Sequence, residues 1–329
     1  MEIETIHLGS FKTDKLISVS LFRMIDTYKN PLKYYIWLLE FVKNMNEINP
    51  TFKIAIFIDL SVTRNPDGTP YDYGVKMIEQ LKNNNKLDIY LYNDERFKIN
   101  KYYHDGTYGT FIRFLPSFNH NNFSKYKIVY ISDIDFTLQE LIDYKKIYTK
   151  FEKSKCKFSF VNSNICYPKP WVTKKQKFII LGGMIFSKIK LPENLLNDYL
   201  NKLNKNKIDL SQLLKDRRTK NEKTGMPYGI DELFLNTIIY NYLLKNKIKI
   251  LLINNNSTIS WEKKIKYNIN DIKDLNNKNI IDKAKKILKN KNKLIKKYPN
   301  INKDYLISCP QNIIKNKNVL NKLTTQIIN

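Results

Sequence analysis

A chain of 329 residues with 42% hydrophobic residues and a formal net charge of +26 can bury a substantial core and fits one large α/β domain with an appendage, two domains remaining compatible. The positive excess is mostly Lys spread along a chain rich in Asn, Ile and Tyr, which reads as the coding bias of an AT-rich genome rather than a basic patch, so no specific nucleic-acid partner is expected. Cys156, Cys166 and Cys309 have neither zinc-type spacing nor an even number, MEIETIHLGSFKTDK lacks an apolar signal core, and no run of about 18 apolar residues occurs, which argues against a zinc site, a disulfide scaffold and a transmembrane segment and sets the expectation of a cytoplasmic protein.

Residues 16–22, LISVSLF, read as a first strand, and the turn after it carries Arg23 and Tyr28. Asn30-Pro31 opens a helix as cap and first-turn residue, with Leu32, Tyr35, Ile36, Leu39 and Val42 spaced along one face. FKIAIFIDLS gives a second strand that stops on Asp59, and NPDGTPYDYG is turn-forming through Pro66, Gly68 and Pro70. A helix over 71–83 and a strand over 87–92 complete a strand–helix–strand rhythm, which predicts a parallel sheet. In HDGTYGTFIRFLP, Gly106 and Gly109 permit close backbone approach, Thr107 or Thr110 is placed to cap a short helix, and Pro116 to end it. Arg113 falls among Phe111, Ile112, Phe114 and Leu115. If buried it needs an anionic partner, for which the Asp133/Asp135 pair or a bound diphosphate qualifies; the alternative is a surface Arg that snorkels.

KYKIVYISDIDF follows, residues 125–136. Its apolar run Ile128–Ile131 is too short for a helix and too continuous for a half-exposed strand, so it reads as a central parallel strand buried on both faces. That strand ends on acid. Asp133 and Asp135, two apart, project the same way from an extended chain and repel each other unless a cation lies close. Carboxylates at the carboxyl end of such a strand suit Mg²⁺ or Mn²⁺ carrying a phosphate-bearing substrate.

After a helix over 137–151 and the strand KFSFVNS, Tyr167, Pro168, Lys169, Pro170 and Trp171 form a stiff aromatic loop, suited to stacking Trp171 on a sugar face with Lys169 toward phosphate, or to plain loop packing. FIILGGMIFS re-enters the core, and Gly182-Gly183 leaves room for a ligand or a second backbone. Residues 215–229 read as a lid whose Arg217, Arg218 and Lys220 close over phosphates or stay solvated. GIDELFLNTIIYNYLL is an amphipathic helix with Asp231 and Glu232 in its first turn, favoured there by the helix dipole, and IKILLI is a last strand running into Asn254-Asn255-Asn256. From 263 onward Lys, Asn and Ile dominate; Ile280, Ile281, Ala284, Ile287, Leu288, Leu294 and Ile295 give a helical stripe that packs on the domain, or meets an anionic membrane surface or a partner helix.

In this order, GTFIRFLPSF, KYKIVYISDIDF, FIILGGMIFS and GIDELFLN resemble the motifs of nucleotide-sugar-dependent glycosyltransferases of the GT-A fold, nearest to the glycogenin-like and galactosyltransferase-like group. The resemblance covers roughly residues 15–262, as short motifs rather than close identity. It implies an α/β, Rossmann-like fold with a mostly parallel central sheet flanked by helices over 1–262, followed by a C-terminal basic helical extension over 263–329. It further implies a hexosyltransferase that uses Mn²⁺ or Mg²⁺ to move a sugar from a UDP-sugar to a hydroxyl of a glycan or protein. On that pattern Ser20, Leu21, Arg23 and Tyr28 contact base or phosphate, and Asp59 the base or ribose. Gly182 and Gly183 face the donor sugar, and Asp231, with Glu232 beside it, contacts the acceptor or acts as base. Asp135 binds the metal directly, Asp133 through water or by holding sugar or ribose hydroxyls, and Arg113 with Lys169 adds positive charge. The family's histidine ligand near the end of the last strand is missing, since His7, His104 and His120 lie elsewhere; Asn255, Asp231 or water would complete the metal's shell. Paired acids with two metals also serve nucleotidyl or phosphoryl transfer, which usually adds a third carboxylate. A basic nucleic-acid-binding protein, or a protein that binds nucleotide sugar without turnover, is the remaining alternative.

Overall fold

The computed structural model of the chain describes residues 1–25, 31–163, 180–210, 213, 226–255 and 323–328. It divides into two compact units, Met1–Ser159 with Gly182–Ile248, and Phe160–Leu181 with Lys249–Asn329.

The first unit is built on β1 (Glu2–Leu8), β2 (Lys15–Leu21), β3 (Lys53–Ile58), β4 (Leu87–Asn93), β5 (Ile128–Ile131), the first residues of β6 (Phe158–Ser163), and β7 (Ile185–Ser187). Within it the strands lie in the order β1-β4-β3-β2-β5-β7. β4, β3, β2 and β5 run parallel, while β1 is antiparallel to β4 and β7 to β5. The parallel strands carry continuous apolar runs because both faces are covered; every residue of β3 is buried. A mostly parallel α/β sheet is therefore what the runs at 54–58 and 128–131 encode. β1 was not foreseen. It is an edge strand, largely exposed, and its alternation of Glu, Thr and His with single apolar residues gives little burial signal.

Five helices connect or flank these strands: α1 (Pro31–Ile48), α2 (Asp72–Lys82), the single turn α3 (Gly109–Ile112), α4 (Leu138–Lys153) and α5 (Glu193–Asn204). α1 starts at Pro31 as read, but its core face is Tyr35, Leu38, Phe41, Val42, Met45 and Ile48, and Leu32 and Ile36 are exposed. The stretch is apolar on nearly all sides, so spacing alone does not fix the phase, and packing against α2 and α4 does. In α3 neither threonine caps the helix. Thr107 Oγ1 donates instead to the carbonyls of Met226 and Pro227, and the α-helix stops before a 3₁₀ turn at Leu115–Ser117 that contains Pro116. α4 is closed by a capping box between Thr137 and Glu140. α5, also unforeseen, buries Leu196, Tyr199, Leu200 and Leu203 at helical spacing.

The run from Ile230 is one helical stretch in three parts: α6 (Ile230–Phe234), a π turn at Leu235–Ile239, and α7 (Tyr240–Lys245). Asn236 Nδ2 and Thr237 Oγ1 donate back to the carbonyls of Glu232 and Leu233 at 2.7 and 2.6 Å, in competition with the α-helical ladder.

In the second unit β8 (Ile250–Asn255) pairs antiparallel with β9 (Leu323–Ile328). β9 lies in the stretch read as a helical extension; LTTQII is rich in β-branched residues, which favour a pleated strand. The expected helical stripe over 280–295 lies outside the described residues. Among the described residues no helix is long and apolar enough to cross a membrane.

The parallel sheet carries one buried ion pair of its own. Lys53 Nζ meets Asp88 Oδ1 at 2.7 Å and the Gly9 carbonyl at 2.7 Å, and Asp88 also accepts from Tyr90 and Tyr126. Lys53→Met leaves that carboxylate buried without its cation and is expected to cost about 3–5 kcal/mol of stability in chemical denaturation. A loss below about 1 kcal/mol contradicts the pair's structural role.

A candidate active-site cleft at the switch point of the sheet

The chain builds β2, β3 and β4 outward in one direction, then returns to place β5 on the other side of β2. The crevice beyond the carboxyl ends of β2 and β5 is thus where the strand order reverses, the usual ligand position in open α/β sheets. A cleft opens there. Its walls are Ser20–Met24 at the end of β2 and just after it, Ser132–Asp135 after β5, Thr107, Thr110 and Arg113 around α3, Gly182-Gly183, Pro31 and Tyr34 of α1, and Tyr228, Gly229, Asp231 and Glu232 at the start of α6.

Arg113 is the centre of the cleft. Its backbone is fixed by Ser18, fully buried in β2, whose hydroxyl donates to the Arg113 carbonyl at 2.6 Å. The guanidinium, in a residue only 7% exposed, forks between two carboxylates. Nη1 pairs with Asp133 Oδ1, and Nη2 with Asp231 Oδ2 at 2.8 Å. Burial alone would favour loss of its proton, but the charges of Asp133 and Asp231 outweigh that and raise its pKa further above the ordinary Arg value. Asp231 Oδ1 in turn accepts the backbone N–H of Glu232 at 2.9 Å. Of the partners foreseen for Arg113, Asp133 is confirmed by contact. Asp231, 118 residues away, is the one sequence reasoning missed, because no local pattern links the two.

The glycine pair explains how these charges pack so closely. A Cβ on Gly182 would lie 2.5 Å from Asp231 Oδ2 and 2.9 Å from Arg113 Nη2, and one on Gly183 would collide with Asp133 Oδ2. Only a backbone without side chains fits against the bridge. Gly229, at φ 87°, makes the left-handed turn that starts α6 and presents Asp231.

On the opposite wall, the Arg23 guanidinium stacks 3.8 Å above the Tyr71 ring and donates to Asn65 Oδ1. The Arg23 N–H donates to Ser61 Oγ at 2.8 Å, and Ser61 donates to Asp59. Asp59 is 1% exposed and does not line the cleft; burial raises its pKa, opposed by hydrogen bonds from His104 and Ser61. His104 Nε2 accepts from the Asp94 N–H at 3.0 Å, which leaves Nδ1 to carry the proton toward Asp59 Oδ2 at 3.3 Å. Asp59 therefore supports the Arg23 wall from behind.

Of the residues singled out in the sequence, the cleft brings together Ser20, Leu21, Arg23, Arg113, Asp133, Asp135, Gly182, Gly183, Asp231 and Glu232. Tyr28, Lys169, Trp171 and the loop with Arg217, Arg218 and Lys220 lie outside the described residues. Asn255 ends β8 in the other unit. Phe22, Met24, Tyr34 and Tyr228 were not foreseen as lining; their only sequence signal is apolar or aromatic character beside a strand end or helix start.

The charge balance of the cleft bears on a cation. Among the described lining residues, four carboxylates (Asp133, Asp135, Asp231 and Glu232) face two guanidinium groups (Arg23 and Arg113), a formal charge of −2 in a chain of +26. A diphosphate is repelled by such a lining unless a cation accompanies it. Hard oxygen donors at Asp133 and Asp135 fit Mg²⁺ or Mn²⁺ that keeps phosphate oxygens and water in its shell. They do not form an all-protein cage, since among the described residues no group of three or more His, Cys, Asp or Glu is arranged to hold a metal.

No protein-family model matches the chain, and no curated protein matches it. Among solved structures it is similar to 4-diphosphocytidyl-2C-methyl-D-erythritol synthase from Anaerococcus prevotii, with a TM-score of 0.32 and 14% sequence identity over 70% of this chain and 99% of that one.

Arg113→Met is expected to destabilise the protein by about 3 kcal/mol or more at neutral pH, because two carboxylates lose their shared counter-ion. In that variant the ionised carboxylates lose the partner that favoured their charged forms in the folded state, so the deficit is largest at neutral pH and shrinks as pH falls through the carboxylate range. Denaturation midpoints at pH 7 and pH 4 check this; a deficit that grows on acidification contradicts the ion-pair geometry.

Proposed function

We propose that the cleft binds a nucleoside diphosphate sugar together with a divalent cation and transfers the sugar to an acceptor hydroxyl. The observation that supports this best is the placement of Asp133 and Asp135 at the end of β5, beside the Arg113 bridge in the switch-point crevice, where the described lining residues are net negative and favour a cation. The likeness of four ordered motifs to GT-A glycosyltransferases supplies the donor class.

In this reading the bond from the anomeric carbon to the diphosphate oxygen breaks, a bond from that carbon to the acceptor oxygen forms, and the acceptor hydroxyl gives up its proton. Asp135 and Asp133 would hold the cation, which would supply Lewis-acid stabilisation of the departing diphosphate, an effect of several kcal/mol. Arg113 lends positive charge at the same place, anchored at its backbone by Ser18 and at Nη2 by Asp231. Arg23, braced by Asn65 and Tyr71, faces the nucleotide from the β2 side. Both oxygens of Asp231 are engaged in hydrogen bonds, which suits a group that orients Arg113 and the sugar rather than one that takes the acceptor proton. Glu232, the next residue of α6 and lining the same cleft, is the better placed base. The acceptor is a glycan or protein hydroxyl.

Nucleotidyl transfer is a second reading, supported by the presence of Asp231 and Glu232 in the same cleft as Asp133 and Asp135, which supplies the additional carboxylates that such chemistry uses.

One panel separates them. Nucleotide sugars should release free nucleoside diphosphate only with Mn²⁺ or Mg²⁺ present, and nucleoside triphosphates with sugar phosphates should give no pyrophosphate; the reverse pattern favours nucleotidyl transfer. Asp135→Asn keeps size and hydrogen bonding but removes the charge a hard cation needs. It should lower metal-dependent turnover by at least about 100-fold, roughly 2.7 kcal/mol in the barrier, while the melting temperature is unchanged or higher. Normal turnover in this variant contradicts the assignment of Asp135.

A further inference from the structure

Asp133 has two oxygens, and the fold sets a neighbour against each. Arg113 Nη1 pairs with Oδ1, and the Gly183 backbone closes on Oδ2 so tightly that a Cβ there would collide with it. A hard cation and a guanidinium seek the same carboxylate oxygen, and they repel each other when both are on it. Arg113 therefore competes with the cation that the cleft is read to hold.

The guanidinium is built to move at one end only. Its backbone is fixed by Ser18, and its Nη2 end by Asp231 in a pair whose side chains are each 8% exposed. The Asp133 side chain is 38% exposed, so the Nη1 end faces the open cleft. Arg113 Nε is buried with no hydrogen-bond partner among the described residues, so the donors of the guanidinium are not saturated in this arrangement. A phosphate group takes two parallel donors from such a fork.

We propose that Arg113 is an internal counter-ion that occupies Asp133 until a diphosphate draws its Nη1 end away, so that cation and nucleotide bind cooperatively through this one side chain. The proposal rests on the reading of the cleft given above. Without nucleotide the cation meets an Asp133 already paired with a positive charge, and binds weakly. With diphosphate present Arg113 turns to phosphate oxygens and Asp133 becomes available. By linkage the cation must tighten nucleotide binding by the same factor.

The test measures Mn²⁺ affinity from the EPR signal of the free ion, with and without UDP, and with inorganic pyrophosphate as the arm lacking a nucleoside. In the wild-type protein UDP and pyrophosphate are each expected to tighten Mn²⁺ by about 10-fold or more. Arg113→Gln is expected to bind Mn²⁺ more tightly than wild type without nucleotide, and to lose most of the coupling. On the wild-type protein with isotope-labelled arginine, the Arg113 guanidinium resonance should shift on adding Mg²⁺ with UDP, and much less with Mg²⁺ alone. If Arg113→Gln does not fold, this spectrum decides. Absence of Mn²⁺ binding in wild type even with UDP overturns the reading of the cleft itself. Coupling that persists undiminished in Arg113→Gln, or an Arg113 resonance unmoved by UDP and Mg²⁺, overturns the counter-ion role while leaving that reading in place.

Discussion

A guanidinium buried between two carboxylates is the constraint from which the rest of the cleft follows. Burying Arg113 is costly unless its charge and donors are met. The fold meets them with Asp133 from the end of β5 and Asp231 from the start of α6. Each of those placements makes its own demand. Asp231 needs the left-handed Gly229 turn, Asp133 needs a strand that ends at the level of α3, and the space around both needs a loop without side chains, which Gly182-Gly183 provides. Ser18 ties the assembly to the central strand of the sheet.

Charge organises the same region at longer range. A chain of +26 has at the switch point of its sheet a cleft whose ionisable side chains formally sum to −2. Whole-chain charge is therefore a poor guide to this cleft, whose described lining has the sign that attracts a cation. The same balance explains why Arg113 is held between its partners: it pairs with Asp133 and Asp231 at once.

Much of the sheet was legible in the sequence, because fully buried parallel strands announce themselves as unbroken apolar runs; 54–58 and 128–131 are such runs, and they are the centre of the sheet. Elements with weaker burial contrast were not. β1 is an exposed edge with mixed character, and the face of α1 is ambiguous because apolar residues surround it. In the cleft, Asp133, Asp135 and the glycine pair carried local signals of spacing and small size, and Arg113 stood out as a charge in an apolar run. The Arg113–Asp231 contact had no such signal, since it depends on the whole sheet bringing α3 and α6 together. Asp59 shows the opposite failure: an acid at a strand end looked like a ligand contact, but packing turned it inward to His104 and Ser61, where it braces the wall that carries Arg23.

The most direct test of the central claim is the anomalous scattering of manganese in crystals grown with Mn²⁺ and UDP. The account predicts one strong peak in the cleft, about 2.1–2.2 Å from a carboxylate oxygen of Asp135 and from diphosphate oxygens, with the nucleotide lying along the Arg23 wall. UDP bound in the cleft with no manganese within reach of Asp135 or Asp133, or manganese bound only elsewhere on the molecule, would contradict it.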